Sequence, residues 1–132
     1  MSTEMANVPV GLLYSKEHEW VKLDADVATV GITDYAQASL GDIVYVELPR
    51  AGATLTQFAS IGVIESVKAV SDIFTPVGGE VAGINDGLES DPAAVNRDPY
   101  GDGWLYKVKL ADVSQTGDLL TPEQYEQLIA EA

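Results

Sequence analysis

The residues with the clearest chemical potential are Glu65-Ser66-Val67-Lys68-Ala69-Val70-Ser71-Asp72. They put an amine in a tight connection between two strand-like stretches, with carboxylates three residues before it and four after. Turn tips usually take Gly, Asn or Asp, which supply the backbone angles or local hydrogen bonds that a reversal needs. Val67 and Ala69 supply neither, so their place beside Lys68 points to recognition by another molecule. The remaining lysines, Lys16, Lys22, Lys107 and Lys109, fall near N-terminal or C-terminal strands whose alternation makes them solvent-facing. A lysine side chain is almost all ammonium at neutral pH, so its acylation needs an enzyme that presents an activated acyl group and a base.

Other chemistry is excluded by what the chain lacks. There is no Gly-x-Ser-x-Gly elbow, Walker loop or His-Glu-x-x-His motif, and Gly78 to Gly83 does not have the spacing of a dinucleotide loop. Asp98 to Gly103 begins like a calcium loop, but Tyr100 takes the third position and Lys109 the twelfth, where an acid is required. Asn96 to Gly103 is therefore expected to be a tight surface turn. His18 is the only histidine, which excludes a paired-histidine metal site and favours a hydrogen-bonded structural or surface role. With no cysteine, any sulfur chemistry must arrive on an attached group.

The chain has 132 residues, 46% of them hydrophobic, which fits one domain spanning 1–132 with a real core. Seven basic residues against 21 acidic ones give a net charge of −14. Such a surface repels nucleic-acid phosphates and anionic lipids, so neither is an expected partner, and it suits basic patches on other proteins. The start, Met1-Ser2-Thr3-Glu4-Met5, has no basic n-region, and no apolar run is long enough to span a membrane. The expected address is a bacterial cytoplasm.

The elements that must position Lys68 are mostly strands. Valine-, isoleucine- and tyrosine-rich stretches recur about every ten residues between turn residues. Residues 1–10 are expected to be irregular. His18–Leu23 and Val27–Thr33 flank the turn Asp24-Ala25-Asp26 as a hairpin. Ile43–Leu48 alternates, with Val44, Val46 and Leu48 on one face and Ile43, Tyr45 and Glu47 on the other. Ala59–Val67 and Ile73–Val77 flank Lys68, and Gly79–Asn85 follows. In Trp104–Leu110, Trp104, Tyr106, Val108 and Leu110 face inward, with Leu105, Lys107 and Lys109 opposite. Two helices are predicted. Asp34–Leu40 has Thr33 as N-cap and Gly41 as its stop, and residues 121–130 open with Thr121-Pro122-Glu123-Gln124, a capping box with a first-turn proline. Tyr125, Leu128 and Ile129 form the apolar side of that last helix. Val27–Asp34 echoes Phe58–Glu65 residue type by residue type, as in a flattened β-barrel or sandwich of two pseudo-symmetric sheets.

Five blocks, in order along the chain, carry a family resemblance: Tyr14 to Trp20, Gly31 to Gln37, Leu40 to Pro49, Glu65 to Asp72 and Asp98 to Leu105. Together they resemble the glycine cleavage system H protein family over Tyr14 to Ile129, nearly the whole chain. A biotinyl domain usually has Met-Lys-Met around its lysine, and this chain has Val-Lys-Ala. It departs from the family at Gly78 before Gly79 and in a longer, poorly matching N-terminus.

The resemblance implies a mainly β, barrel-sandwich hybrid fold of two small antiparallel sheets, with a short internal helix and a C-terminal helix. It implies a non-catalytic carrier in glycine catabolism and one-carbon metabolism, with lipoate in amide linkage to Lys68 and Glu65, Val67 and Ala69 recognised during lipoylation. The lipoyl disulfide would accept an aminomethyl group from glycine decarboxylase, a pyridoxal-phosphate enzyme. An aminomethyltransferase would pass the one-carbon unit to tetrahydrofolate and free ammonia, and dihydrolipoyl dehydrogenase would reoxidise the arm. Lipoate-attaching enzymes are further partners, and a monomer is expected. Glu19 and Asp72 match the positions whose carboxylates hold the arm or its aminomethyl cation. Two other readings stand beside this one. An H-like lipoyl protein could act as a lipoyl relay or in sulfur-compound oxidation, and an unmodified acidic β-domain could serve only to bind a partner.

Overall fold

The structure, a computed structural model, describes residues 7–131. Residues 1–6 of the segment expected to be irregular lie outside that range, and residues 7–10 carry neither helix nor strand. Nine strands follow: β1 (Leu13–Tyr14), β2 (Glu19–Asp24), β3 (Val27–Ile32), β4 (Ile43–Glu47), β5 (Thr54–Leu55), β6 (Ser60–Ser66), β7 (Val70–Phe74), β8 (Gly79–Ile84) and β9 (Tyr106–Leu110). Helices α1 (Asp34–Leu40), α2 (Ala94–Arg97) and α3 (Pro122–Ala130) are joined by 3-10 turns at Asp86–Glu89 and Val113–Asp118.

All strand pairs are antiparallel. One sheet has six strands in the order β1-β2-β3-β9-β8-β5, and the other has three, β4-β6-β7. Their inner faces meet in one core that includes Val21, Val30, Val81 and Val108 from the larger sheet and Ile43, Ile64 and Ile73 from the smaller. Mutual burial of two apolar faces is the physical reason for the two layers. The sheets are unequal, so the echo between Val27–Asp34 and Phe58–Glu65 is local. Its glycines do share a role, because a Cβ at Gly31 would lie 2.6 Å from the Trp20 indole and one at Gly62 would collide with the Glu47 carbonyl.

Alternation alone misplaces two segments. In β4 the register against β6 shifts between Ile43 and Tyr45, so Val44 is an extra residue in the strand. Ile43 is therefore buried while Val44 and Tyr45 are both exposed, and the expected Val44 and Ile43 faces exchange. The β9 ladder begins only at Tyr106. Leu105, expected outward, is fully buried, and Trp104 is half-buried with Lys107 Nζ 5.3 Å above its ring.

Both predicted helix caps form. Thr33 accepts from the Ala36 amide, and Thr121 and Gln124 complete a capping box with Pro122 in the first turn. Tyr125 anchors α3 by stacking on Tyr14 at 4.7 Å between centroids, in a small cluster with Trp20 beside the main core. The expected surface turn over 96–103 is more structured than that. Asn96 lies in α2, Pro99 and Gly103 are buried, and the Pro99 carbonyl accepts from Trp20 Nε1 at 2.9 Å.

Candidate functional site

Strands β6 and β7 form a hairpin with the pairs Glu65↔Val70, Ile64↔Ser71 and Val63↔Asp72, which leaves Val67 and Lys68 at its tip. Strand β7 begins at Val70, three residues before the predicted start, and ends just before the buried Thr75 and Pro76. The tip contains no glycine, and Ser66 supplies what the residue types lack. Its N–H donates to the Ala69 carbonyl at 2.8 Å, and its Oγ accepts from the amides of Lys68 at 3.3 Å and Ala69 at 3.1 Å. The Val67 amide donates to the Asp42 carbonyl at 3.0 Å, tying the tip to the connection between α1 and β4. Gly41, at φ +82°, lies beneath the lysine stem, where a Cβ would come 3.5 Å from Lys68 Cε. Lys68 itself is exposed.

Paired residues of an antiparallel sheet share a face. The rows Tyr45–Glu65–Val70 and Glu47–Val63–Asp72 thus cover the outer face of the small sheet below the tip. Tyr45 and Val70 are 48% and 68% exposed there, Val67 at the tip 69%. Glu65 and Asp72 are diagonal neighbours on this face, among apolar groups that water does not favour. Lys22 and Lys107 lie on the other sheet, both opposite Thr29, and Lys109 is on β9 with Lys107. Lys16 departs from the strand-based expectation, because it sits in the turn between β1 and β2.

Glu19 is in a different environment from Asp72, and the structure shows no contact between them. Glu19 is 2% exposed, at the junction of the two sheets. Oε1 accepts from Ser15 Oγ, and Oε2 accepts from the Phe74 amide at 3.3 Å. Burial dominates these bonds and raises its pKa from 4.5 to about 8, so the group is mostly protonated at neutral pH. The hydroxyl of Tyr106, deep in the core beside Thr75, has no geometric hydrogen-bond partner among the described residues, and burial raises its pKa.

Above this polar pocket lies an open cleft of about 370 Å³. Phe58, Phe74 and Leu120 give it an apolar lining, and Ser15, Lys16, Glu17 and Asp118 a polar one. Two cleft residues, Ser15 and Phe74, are also the hydrogen-bond partners of Glu19. Phe58 holds the left-handed φ of +69°, and its N–H donates a hydrogen bond to the Thr75 carbonyl at 2.6 Å. His18 is structural, as expected: Nδ1 is 2.8 Å from Tyr125 Oη, which also meets Thr33 Oγ1 at 2.7 Å, and burial lowers the imidazole pKa.

Sequence reasoning missed Ser66, Gly41 and the cleft residues Phe58, Phe74 and Leu120. A serine two positions before a lysine in a glycine-free turn was a usable signal for Ser66. The others come together only through contacts distant in sequence.

Comparison with known proteins agrees with this geometry. The sequence profile described as Glycine cleavage H-protein matches residues 12–132. A glycine cleavage system H protein of Opitutus terrae is 54% identical over 95% of this chain and 99% of its own length. One from Halothermothrix orenii is 52% identical over 95% and 98%. The crystal structure of an H protein from Mycobacterium marinum superposes with a TM-score of 0.87 at 37% identity, covering 93% of this chain and 99% of that one. No helix among the described residues is long and apolar enough to cross a membrane. Profile, relatives and fold agree over nearly the full length: the chain belongs to the glycine cleavage H-protein family, the non-catalytic carriers of glycine catabolism whose members bear a lipoyl-lysine.

Proposed function

We propose that Lys68 is the lipoyl-bearing residue and that the chain acts as one carrier domain in a bacterial cytoplasm. The observation that carries this reading is the exposed amine at a two-residue hairpin tip, with its stem lying over a glycine and its turn closed by Ser66. A side chain so placed can enter the active site of a lipoate-attaching enzyme while the strands behind it stay fixed. Lys22, Lys107 and Lys109 lie along strands, where their neighbours restrict such entry. The exposed Val67, Ala69 and neighbouring Glu65 form the surface that the attaching enzyme reads.

Lipoate attached at Lys68 would supply a disulfide for carrying the aminomethyl unit between glycine decarboxylase and the aminomethyltransferase, with dihydrolipoyl dehydrogenase as its oxidising partner. The chain's own residues offer shelter. Phe58, Phe74 and Leu120 suit the apolar part of a flexible arm, and the cleft polar groups suit a charged end. Strand β7 spans only about 13 Å from the hairpin to Phe74, within reach of a long side-chain arm. Behind the cleft, Glu19 can lose its proton when a cation approaches and so become its counter-charge. Asp72, exposed on the outer sheet face, suits the docking of a basic partner surface.

Peptide mapping of protein made in its native host should find the lipoyl mass on the Lys68 peptide alone. Lys68→Arg should fold normally yet support no glycine decarboxylation. Lipoyl mass retained by that variant, or found on Lys16, would refute the assignment.

A further inference from the structure

We propose that Asn96 is a positioning residue for Lys68, because its side-chain amide clamps the connection on which the lysine hairpin leans. This inference builds on the reading of Lys68 as the acylated residue. Asn96 lies on α2, which is remote from the hairpin in sequence. Its Nδ2 donates to the Gly41 carbonyl and to Gln37 Oε1, both at 2.9 Å, and its Oδ1 accepts from the Ile43 amide, also at 2.9 Å. Gln37 lies in the last turn of α1, Gly41 caps that helix and Ile43 opens β4. The connection itself is only Gly41 and Asp42, so Asn96 holds it from both sides.

The same two residues carry the hairpin tip. The Asp42 carbonyl accepts from the Val67 amide, and a Cβ at Gly41 would meet Cδ and Cε of Lys68. Ser66 closes the turn internally but does not fix its tilt against the rest of the molecule. That tilt is set by the last β4–β6 pair, Ile43↔Ser66, and by the Asp42–Val67 bond, and both begin at the segment Asn96 grips. Asparagine is a poor helix former, and α2 has no side-chain N-cap bond, so helix stability does not account for Asn96 there. Gripping the connection does.

An attaching enzyme meets a correctly tilted lysine only in the competent fraction of the carrier. Its apparent KM for the carrier rises as that fraction falls, and kcat for bound carrier does not. The test uses the full chain with Asn96→Ala and with Asn96→Asp, which keeps the acceptor for Ile43 and loses both donors. Amide exchange on unmodified protein should quicken about tenfold at Val67 in Asn96→Ala, while Val30 and Val108 in the core stay protected. With a lipoate ligase, free lipoate and ATP, KM for Asn96→Ala should rise several-fold at a kcat within about twofold. Asn96→Asp should fall between. Unchanged Val67 exchange in a folded Asn96→Ala overturns the clamp, as does a loss of kcat with KM unaltered. Failure of the ligase to acylate Lys68 of the unsubstituted chain would instead overturn the lipoyl-lysine reading, which the exchange experiment does not depend on.

Discussion

At the scale of single residues, burial matters more than identity. Glu19 and Asp72 are both acids, yet one is sealed between the sheets and the other faces water. The consequence for Glu19 is a pH dependence of stability. Its pKa is near 8 in the folded chain against an ordinary 4.5. Between those values the folded state keeps a proton that the unfolded state has released, so stability is greatest below about 4.5 and declines as pH rises through 8. Glu19→Gln mimics the protonated acid and has no such decline. The thermal midpoint of Glu19→Gln should therefore gain on that of the unsubstituted protein by several degrees between pH 5 and pH 8.5. Parallel curves over that range would show that the carboxyl is not held neutral.

At the scale of elements, the hairpin works because neighbouring segments leave room for it and hold it. Glycine serves this twice: Gly41 under the lysine stem, and Gly31 under the indole of Trp20. Trp20 in turn holds the Pro99 carbonyl, which fixes the loop leading from α2 to β9. Gly31→Ala would drive a methyl into the indole and should cost about 1–3 kcal/mol, as overpacked cores do. Urea unfolding should show a lower midpoint at an unchanged m-value, since the surface exposed on unfolding stays the same. A stability within error of the original would mean that Trp20 moves aside freely.

At the scale of the whole molecule, charge is the dominant feature. The net −14 is expressed close to the lysine, where Glu47, Glu65 and Asp72 share the outer face of the small sheet with Tyr45 and Val70. A carrier that visits several enzymes gains from fast encounter and short residence, and long-range attraction raises association rates more than it deepens binding. The apparent KM of the decarboxylase for this carrier should rise from low salt towards physiological strength, where the Debye length falls to about 8 Å. A KM flat across that range would assign the charge to solubility alone.

Features written in local spacing are legible without the fold. The all-β alternation, the Thr33 and Thr121 caps, the cysteine-free composition and the Glu65–Asp72 block around Lys68 are each contained in a few consecutive residues. Local spacing fails where a distant partner sets the register. The extra residue in β4 is fixed by pairing with β6, so Val44 turns outward and Ile43 inward. The depth of Leu105 is fixed by the point where the β9 ladder starts. Glu19 is buried because Ser15, in the β1–β2 connection, and Phe74, from the other sheet, close over it, and no pattern within its own strand records that. The grip of Asn96 on the Gly41–Ile43 segment joins residues more than fifty positions apart. Hydrogen bonds and packing across such separations exist only once the two sheets have met, so no local pattern encodes them.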